Sequence, residues 1–589
     1  MTRNTLRGLG LLAAFALVIP ITATSAQAKP KKHKSSGGET SPPPADSGSS
    51  GGGMTFEPEE VHKDEPGKKK APMTFAPEAV KPTGPAGPPS KVLERALKLY
   101  DAEDYTNASI ELNKVVEGQS GDDEANKQRA EFFMGKTLFN MKYYSASLSY
   151  FDRIVQKGPN HRYYQKTLQW LASLSRFLPE SAGVLEKIGK YTKSDLDQPA
   201  LEPVRDELYY LLGRYHYAKG NFKDAIDLFS SVPEKSEFYP KAKFLEGLTN
   251  VREYHGKLAA DDFKSILRKV KQYDDPDKVP KALKEAEELA NLSLGRVFYS
   301  TKQYNQAIKY FEKLVGPDGP DGAKGTAPDW AASLFEASWA YFMVDGDSKA
   351  LGNIHSIVSP YFETEFYPEA YILKAVIYFN RCNYDRSQEA INEFNAIYPD
   401  LRKEVEGILQ KYPDNAQFYD YILKIRSGEA GLSERAQNAA AGALQDRSLL
   451  KNIEWVNELD RELKAIDKAD PAWKSTAVAG NILQDLTLQK SLAANDAGQL
   501  ARNRLTRLSN EIQDLMKQSI KIEIEALNGL KGALTAGIAG EQAQSLNPNA
   551  KNYNTIVIDD EHQQWPFRGE YWMDELGYYR FKVANKCGR

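Results

Sequence analysis

The chain has 589 residues, with 77 Lys and Arg against 80 Asp and Glu. That length admits several domains or one long repeat array. The net charge of −3 speaks against a general nucleic-acid-binding surface.

Residues 1–28 read as a secretory signal peptide. A basic start carrying Arg3 and Arg7 precedes an apolar run from Gly8 to about Ile21, then Ala26-Gln27-Ala28. The other reading is an N-terminal anchor, but the apolar run is short for a membrane span. The expected location is therefore the periplasm. No later stretch reaches eighteen apolar residues, so no integral membrane span is expected in the mature chain. Export permits a disulfide between Cys382 and Cys587. Their separation in sequence leaves open whether they pair or stay as two thiols.

Residues 29–90 are rich in Pro, Gly, Ser and Lys and have little to bury, which predicts a disordered tether. Two octapeptides interrupt it. MTFEPEEV at residues 54–61 and MTFAPEAV at 73–80 agree at six of eight positions. Each offers Met, Phe and Val as anchors. Repetition on a tether raises local concentration if the motif binds; otherwise it is a duplicated spacer.

Residues 91–400 repeat a helix-turn-helix pattern. In LLGRYHYAKGNFKDAIDLFSSV, residues 211–232, and SLGRVFYSTKQYNQAIKYFEKLV, residues 293–315, Gly213 and Gly295 hold one position. Phe222 and Tyr304 follow nine residues later, Ala225 and Ala307 twelve, Phe229 and Phe311 sixteen. Looser copies place Ala96, Gly135, Gly247, Ser338 and Ala375 in the same register. A degenerate helix pair fills residues 163–188. This spacing resembles the tetratricopeptide repeat, and the resemblance covers about half the chain.

The resemblance implies an all-α solenoid whose first helices line a concave groove suited to extended ligands. By register it places Lys136, Phe139, Arg214, Tyr217, Arg252, Arg296, Tyr299, Trp339, Phe342 and Phe379 on that groove. Arg can fork onto carboxylates and the rings offer apolar contact, a combination suited to an acidic, aromatic peptide. The alternative is that these residues serve repeat packing and solvated surface. The octapeptides are themselves acidic and aromatic, so they are candidate groove ligands.

After Pro399 the register fades. Residues 401–545 carry long helical patterns broken by DPAW at residues 470–473, which predicts an antiparallel coiled-coil hairpin. Further solenoid helices are the other reading. Residues 546–589 are dense in aromatics, with strand-like TIVI and YYRFKV. Trp565, Phe567, Tyr571 and Trp572 are expected to dock this segment on the helical body, with a possible short β-hairpin. The tail resembles those of envelope repeat proteins from gliding deltaproteobacteria of the myxobacterial type, which implies a place in gliding-motility machinery.

Catalytic and metal motifs are lacking in the sequence. DDEH at residues 559–562 has no ligand spacing, and neither HExxH, a P-loop nor GxSxG occurs. The expected function is a non-catalytic periplasmic scaffold binding other envelope proteins or extended peptides, without cofactor or metal. The alternatives are an outer-membrane or cell-wall assembly factor, or a peptidoglycan-acting enzyme.

Overall fold

The computed structural model describes residues 86–315, 330–362, 366–539 and 570–587. The stretch read as a signal peptide, both octapeptides, DDEH, TIVI, Trp565 and Phe567 lie outside these residues. The described residues form helices joined by turns and contain no strand.

The array opens with α1 (Lys91–Asp101) and α2 (Tyr105–Val116), then α3 (Glu124–Asn140) and α4 (Tyr144–Lys157). A degenerate stretch follows, α5 (Tyr164–Leu174), α6 (Val184–Ile188) and α7 (Lys193–Leu196). Regular pairs resume with α8 (Arg205–Ala218) and α9 (Phe222–Ser230), α10 (Tyr239–Arg252) and α11 (Gly256–Val270), and α12 (Lys281–Ser300) and α13 (Tyr304–Val315). They end with α14 (Trp330–Met343) and α15 (Asp347–Ile357), and α16 (Glu369–Asn380) and α17 (Tyr384–Asn395).

Close approach within each pair comes from volume matching. A Cβ built on Gly135, Gly213, Gly247 or Gly295 would stand 2.7, 2.6, 2.6 or 2.3 Å from the ring of Phe151, Phe229, Phe263 or Phe311. Where the small residue is Ala96, Ser338 or Ala375, the residue sixteen later shrinks to Leu112, Ile354 or Ile391. The two positions trade volume, as a close-packed interior requires.

Seven residues after each small position the backbone turns left-handed, at Glu103, Lys142, Gly220, Tyr254, Lys302, Asp345 and Cys382. Only one of the seven is glycine, so pair packing rather than residue preference holds this turn. Curvature follows from spacing. First helices of successive units touch one another, α8 with α10 and α10 with α12, while second helices are held apart. The first-helix side is therefore the hollow one.

The C-terminal third differs from its expectation in two ways. The long pattern before DPAW is interrupted: α18 (Tyr398–Lys411), α19 (Asn415–Ser427) and α20 (Glu434–Ala443) precede α21 (Arg447–Asp467). Asp446 restarts the helix by accepting the Leu449 amide. After α22 (Pro471–Lys474), α23 (Ala477–Ala539) runs 63 residues unbroken, about 95 Å. Lys490 on α23 meets Asp460 on α21, and the later Arg504 meets Asp446 at the start of α21, so the two helices run antiparallel. It uses only the first part of α23; the remainder packs on α17, α18 and α19 rather than in a coiled coil.

This long helix ties the two ends of the array together. Asp485 accepts from Ser149 of α4 at 2.7 Å, and Trp473 just before α23 donates to Ser109 of α2 at 2.9 Å. About 60 Å further along, Glu523 meets Gln388 and Gly529 lies against Tyr384, both on α17. Midway, Arg502 donates to Leu409 O and Asn415 Oδ1 at 3.1 Å each and to Tyr412 O, satisfying carbonyls at the end of α18.

The described part of the tail differs from the strand expectation at YYRFKV. YYRFKV pairs with no strand; it runs along α15. Phe581 N donates to Ser348 O at 3.1 Å, and Leu576 and Val583 are buried. Tyr571 stacks on His355 at 4.4 Å, whereas Trp572 remains 43% exposed. Cys587 forms a disulfide with Cys382, the left-handed turn residue between α16 and α17, and Lys586 N donates to Arg381 O at 2.8 Å.

Candidate partner-binding face

The hollow side carries two adjoining features. The first is an aromatic ledge on α1, α3 and α5. Arg129, Phe133 and Lys136 recur at spacings of four and three along α3, which sets them on one face. The Lys136 ammonium lies 4.4 Å from the Phe133 ring centroid, 4.5 Å from Tyr100 and 5.6 Å from Trp170. These are cation–π distances. Burial pushes its pKa down, with more distant Asp101 opposing. Phe139 meets Trp170 edge-on at 5.2 Å and Phe177 at 5.7 Å, and Tyr144 stacks on Phe177 at 4.5 Å. Phe177 itself is 51% exposed, so the ledge presents rings to solvent.

The second feature begins beside Phe177. A cavity of about 490 Å³ opens between the end of α5 and helices α8, α10 and α12. Arg176 forks onto Glu207 with bonds of 2.6 and 3.0 Å. Glu180 sits between Arg214 and Arg447, the first residue of α21. Burial would raise the Glu180 carboxyl, but the two guanidiniums outweigh it and hold it low. Lys241 is exposed at the lining, and Tyr210, Phe238 and Leu289 give it apolar wall. The chain's own α21 thus enters part of the hollow without filling it.

The structure divides the ten residues assigned to the groove. Lys136, Phe139, Arg252 and Phe379 are partly exposed on first helices, with Arg252 4.9 Å over the Tyr217 ring. Tyr217, Tyr299, Trp339 and Phe342 are buried, at 5%, 4%, 6% and 0% exposure, so they are corrected to packing residues. Register alone does not separate them, since the partly exposed Phe139 and Phe379 also lie four residues beyond their small residue; the neighbouring unit covers the buried ones. Arg214 and Arg296 are corrected too. Their guanidiniums are held by Glu180 and Glu336, the latter at 2.6 Å, and are not open to an incoming carboxylate. In the tail, Tyr571 stacks on His355, Trp572 is half exposed, and Trp565 and Phe567 lie outside the described residues.

Sequence reasoning missed Tyr100, Phe133, Trp170, Phe177, Glu180 and Arg447. The Arg129–Phe133–Lys136 spacing was a usable signal for the ledge. Nothing in the sequence tied Arg447 to Glu180, 267 positions away. Among the described residues no group of three or more potential metal ligands comes together, and no helix is long and apolar enough to cross a membrane.

The tetratricopeptide repeat family model matches residues 290–316, the heart of the α12–α13 pair. No curated protein matches the chain. Among solved structures, it is similar to a tetratricopeptide repeat protein from Parabacteroides merdae, at 12% identity over 52% of this chain and 91% of that one, TM-score 0.22. A second is the Cut9–Hcn1 hetero-tetramer of the APC/C, at 13% identity over 76% of this chain and 95% of that one, TM-score 0.19. The matched pair, and the same register in the other regular pairs, make this chain a helical-repeat solenoid resembling tetratricopeptide proteins.

Proposed function

We propose that the protein is a non-catalytic scaffold whose hollow side holds an extended segment of another protein. Tetratricopeptide repeats bind proteins and peptides, and the observation that supports the reading here is the ledge around Lys136. It combines partly exposed rings with a cation that, among the described residues, pairs with aromatic faces rather than with a carboxylate in direct contact. Such a surface fits a segment carrying an apolar side chain beside a carboxylate. The cavity beyond Phe177 extends the track. The α23 brace across both array ends fixes the curvature, so the groove is preformed rather than induced.

The periplasm is the proposed location, supported by the composition of residues 1–28 and by the Cys382–Cys587 disulfide, which suits an oxidising compartment. An envelope complex is the proposed setting, and gliding-motility machinery is a narrower form of that proposal resting on the tail's resemblance alone. Crosslinked capture from intact cells tests the scaffold reading. Wild type is expected to retain a defined partner that Lys136→Glu loses. Equal capture by both contradicts it. Sequencing the mature N-terminus tests export, with residue 29 expected first.

A further inference from the structure

The first described residues sit beside the ledge. Gly87 N donates to Asp123 Oδ2 at 2.6 Å, and Asn126 Nδ2 donates to Gly87 O at 3.1 Å. Ser90 Oγ bonds Asp122 at 2.6 Å. Asp123 caps α3, the helix that carries Arg129, Phe133 and Lys136. The preceding chain is therefore delivered to the N-terminal end of the ledge helix and fastened there.

The distances favour a nearby occupant. From Asp123 to Lys136 along α3 is about 20 Å. Phe75 precedes Gly87 by twelve residues, which span about 40 Å when extended. The octapeptide at residues 73–80 can thus lie along α3 with chain to spare. The copy at residues 54–61 reaches the same place on a longer leash, Phe56 lying 31 residues before Gly87.

The chemistry of the two is complementary. The ledge presents Arg129 and Lys136, two cations, with the Phe133 ring between them. The octapeptides present Phe56 or Phe75 with Glu59 or Glu78 three residues on, and the outer copy adds Glu57 and Glu60. Each motif carries a proline, Pro58 or Pro77, whose ring restricts the backbone and lowers the ordering cost of binding in an extended form.

We propose that the ledge is occupied in the resting chain by its own octapeptide, residues 73–80, with Phe75 against the Phe139–Trp170–Phe177 rings and Glu78 facing Lys136. The tether then acts as an intramolecular competitor. An external segment must displace it, and the outer copy can re-cover the ledge when the inner one leaves. This rests on the groove reading of the ledge.

The test uses the full mature chain. A labelled synthetic peptide of residues 73–80 is titrated onto wild type and onto Phe56→Ala/Phe75→Ala. Effective concentrations on a short tether are about millimolar, so the double variant is expected to bind the free peptide about tenfold or more tighter than wild type. Adding Lys136→Glu to the double variant is expected to abolish that binding. Equal affinity in both chains, or no binding by the double variant, overturns the proposal. A photoreactive benzoylphenylalanine at position 75 gives a second readout, in a mixture of isotopically heavy and light chains. Crosslinks to α3 or α5 within one isotope are expected; crosslinks elsewhere, or between isotopes, overturn self-occupancy. Partner capture lost on Lys136→Glu, alongside a failed octapeptide titration, would leave the scaffold reading standing and remove only this one.

Discussion

Phe311 fills the space that Gly295 leaves: a Cβ on Gly295 would stand 2.3 Å from the ring. The pair makes the array's packing rule testable. Gly295→Ala is expected to cost about 1–3 kcal/mol through overpacking, more than alanine's helix preference returns. Gly295→Ala/Phe311→Leu, which imitates Ala96 with Leu112, should recover part of the loss. Gly407→Ala in α18 is the control, since nothing lies within 4 Å of its added Cβ. It should be neutral or stabilising by up to about 1 kcal/mol. Denaturant midpoints of the four proteins decide it.

The tail is fastened at two places with different chemistry. At Gly352 an added Cβ would meet the Tyr579 carbonyl at 1.5 Å, so Gly352→Ala should push the strap off α15. Cys587→Ser should free its end from the α16–α17 turn. Hydrogen exchange of residues 570–587 is the measurement. Either change is expected to speed exchange there at least tenfold while α1–α4 keep their protection.

His355 adds a pH dependence to the same contact. Burial, with Lys374 nearby, pushes its pKa down to about 4, beneath the Tyr571, Tyr579 and Phe581 rings. The docked state thus holds His355 neutral, while an undocked imidazole takes a proton near 6.5. Docking is complete above 6.5 and weakens as pH falls from there toward 4. Exchange of the tail should rise over that window in wild type and lose that dependence in His355→Gln.

Buried carboxyls give the opposite slope. Burial pushes Glu462 up to about 7, despite bonds from Ser145 N at 2.6 Å and Ser145 Oγ at 2.7 Å. Glu369 on α16 and Glu511 on α23 are both raised, by burial first; Glu369 raises Glu511 further, with Arg504 and Arg507 opposing. These groups keep protons that the unfolded chain releases near 4.5. Stability should therefore fall as pH climbs from about 4.5 through 7, by on the order of 3 kcal/mol for Glu462. Glu462→Gln and Glu511→Gln should each flatten the dependence of the denaturant midpoint on pH.

The array was legible because its rule is local. Small residue, left-handed turn and matched large residue recur at offsets of seven and sixteen, all within one helix pair. The hidden parts depend on contacts far apart in sequence. Trp473 on Ser109, Arg447 on Glu180 and Tyr571 on His355 have no period to betray them. The long helix beyond DPAW was visible, but a hairpin was the natural reading of two adjacent apolar rhythms. The contacts of Glu523 with Gln388 and of Gly529 with Tyr384 show that α23 continues onto the last repeat. The groove residues were half legible for a related reason. Register places a residue on a first helix, but the neighbouring unit decides whether it faces the hollow, as Lys136 does, or the interior, as Phe342 does.

The most direct measurement of the scaffold account is site-specific photocrosslinking in intact cells. One photoreactive residue replaces Phe177 on the hollow side; another replaces Leu258, 54% exposed on the second helix α11. Capture of a distinct partner chain from position 177 but not from 258, lost when Lys136→Glu is added, is the predicted result. Capture from 258 alone, or from both positions regardless of residue 136, would contradict it.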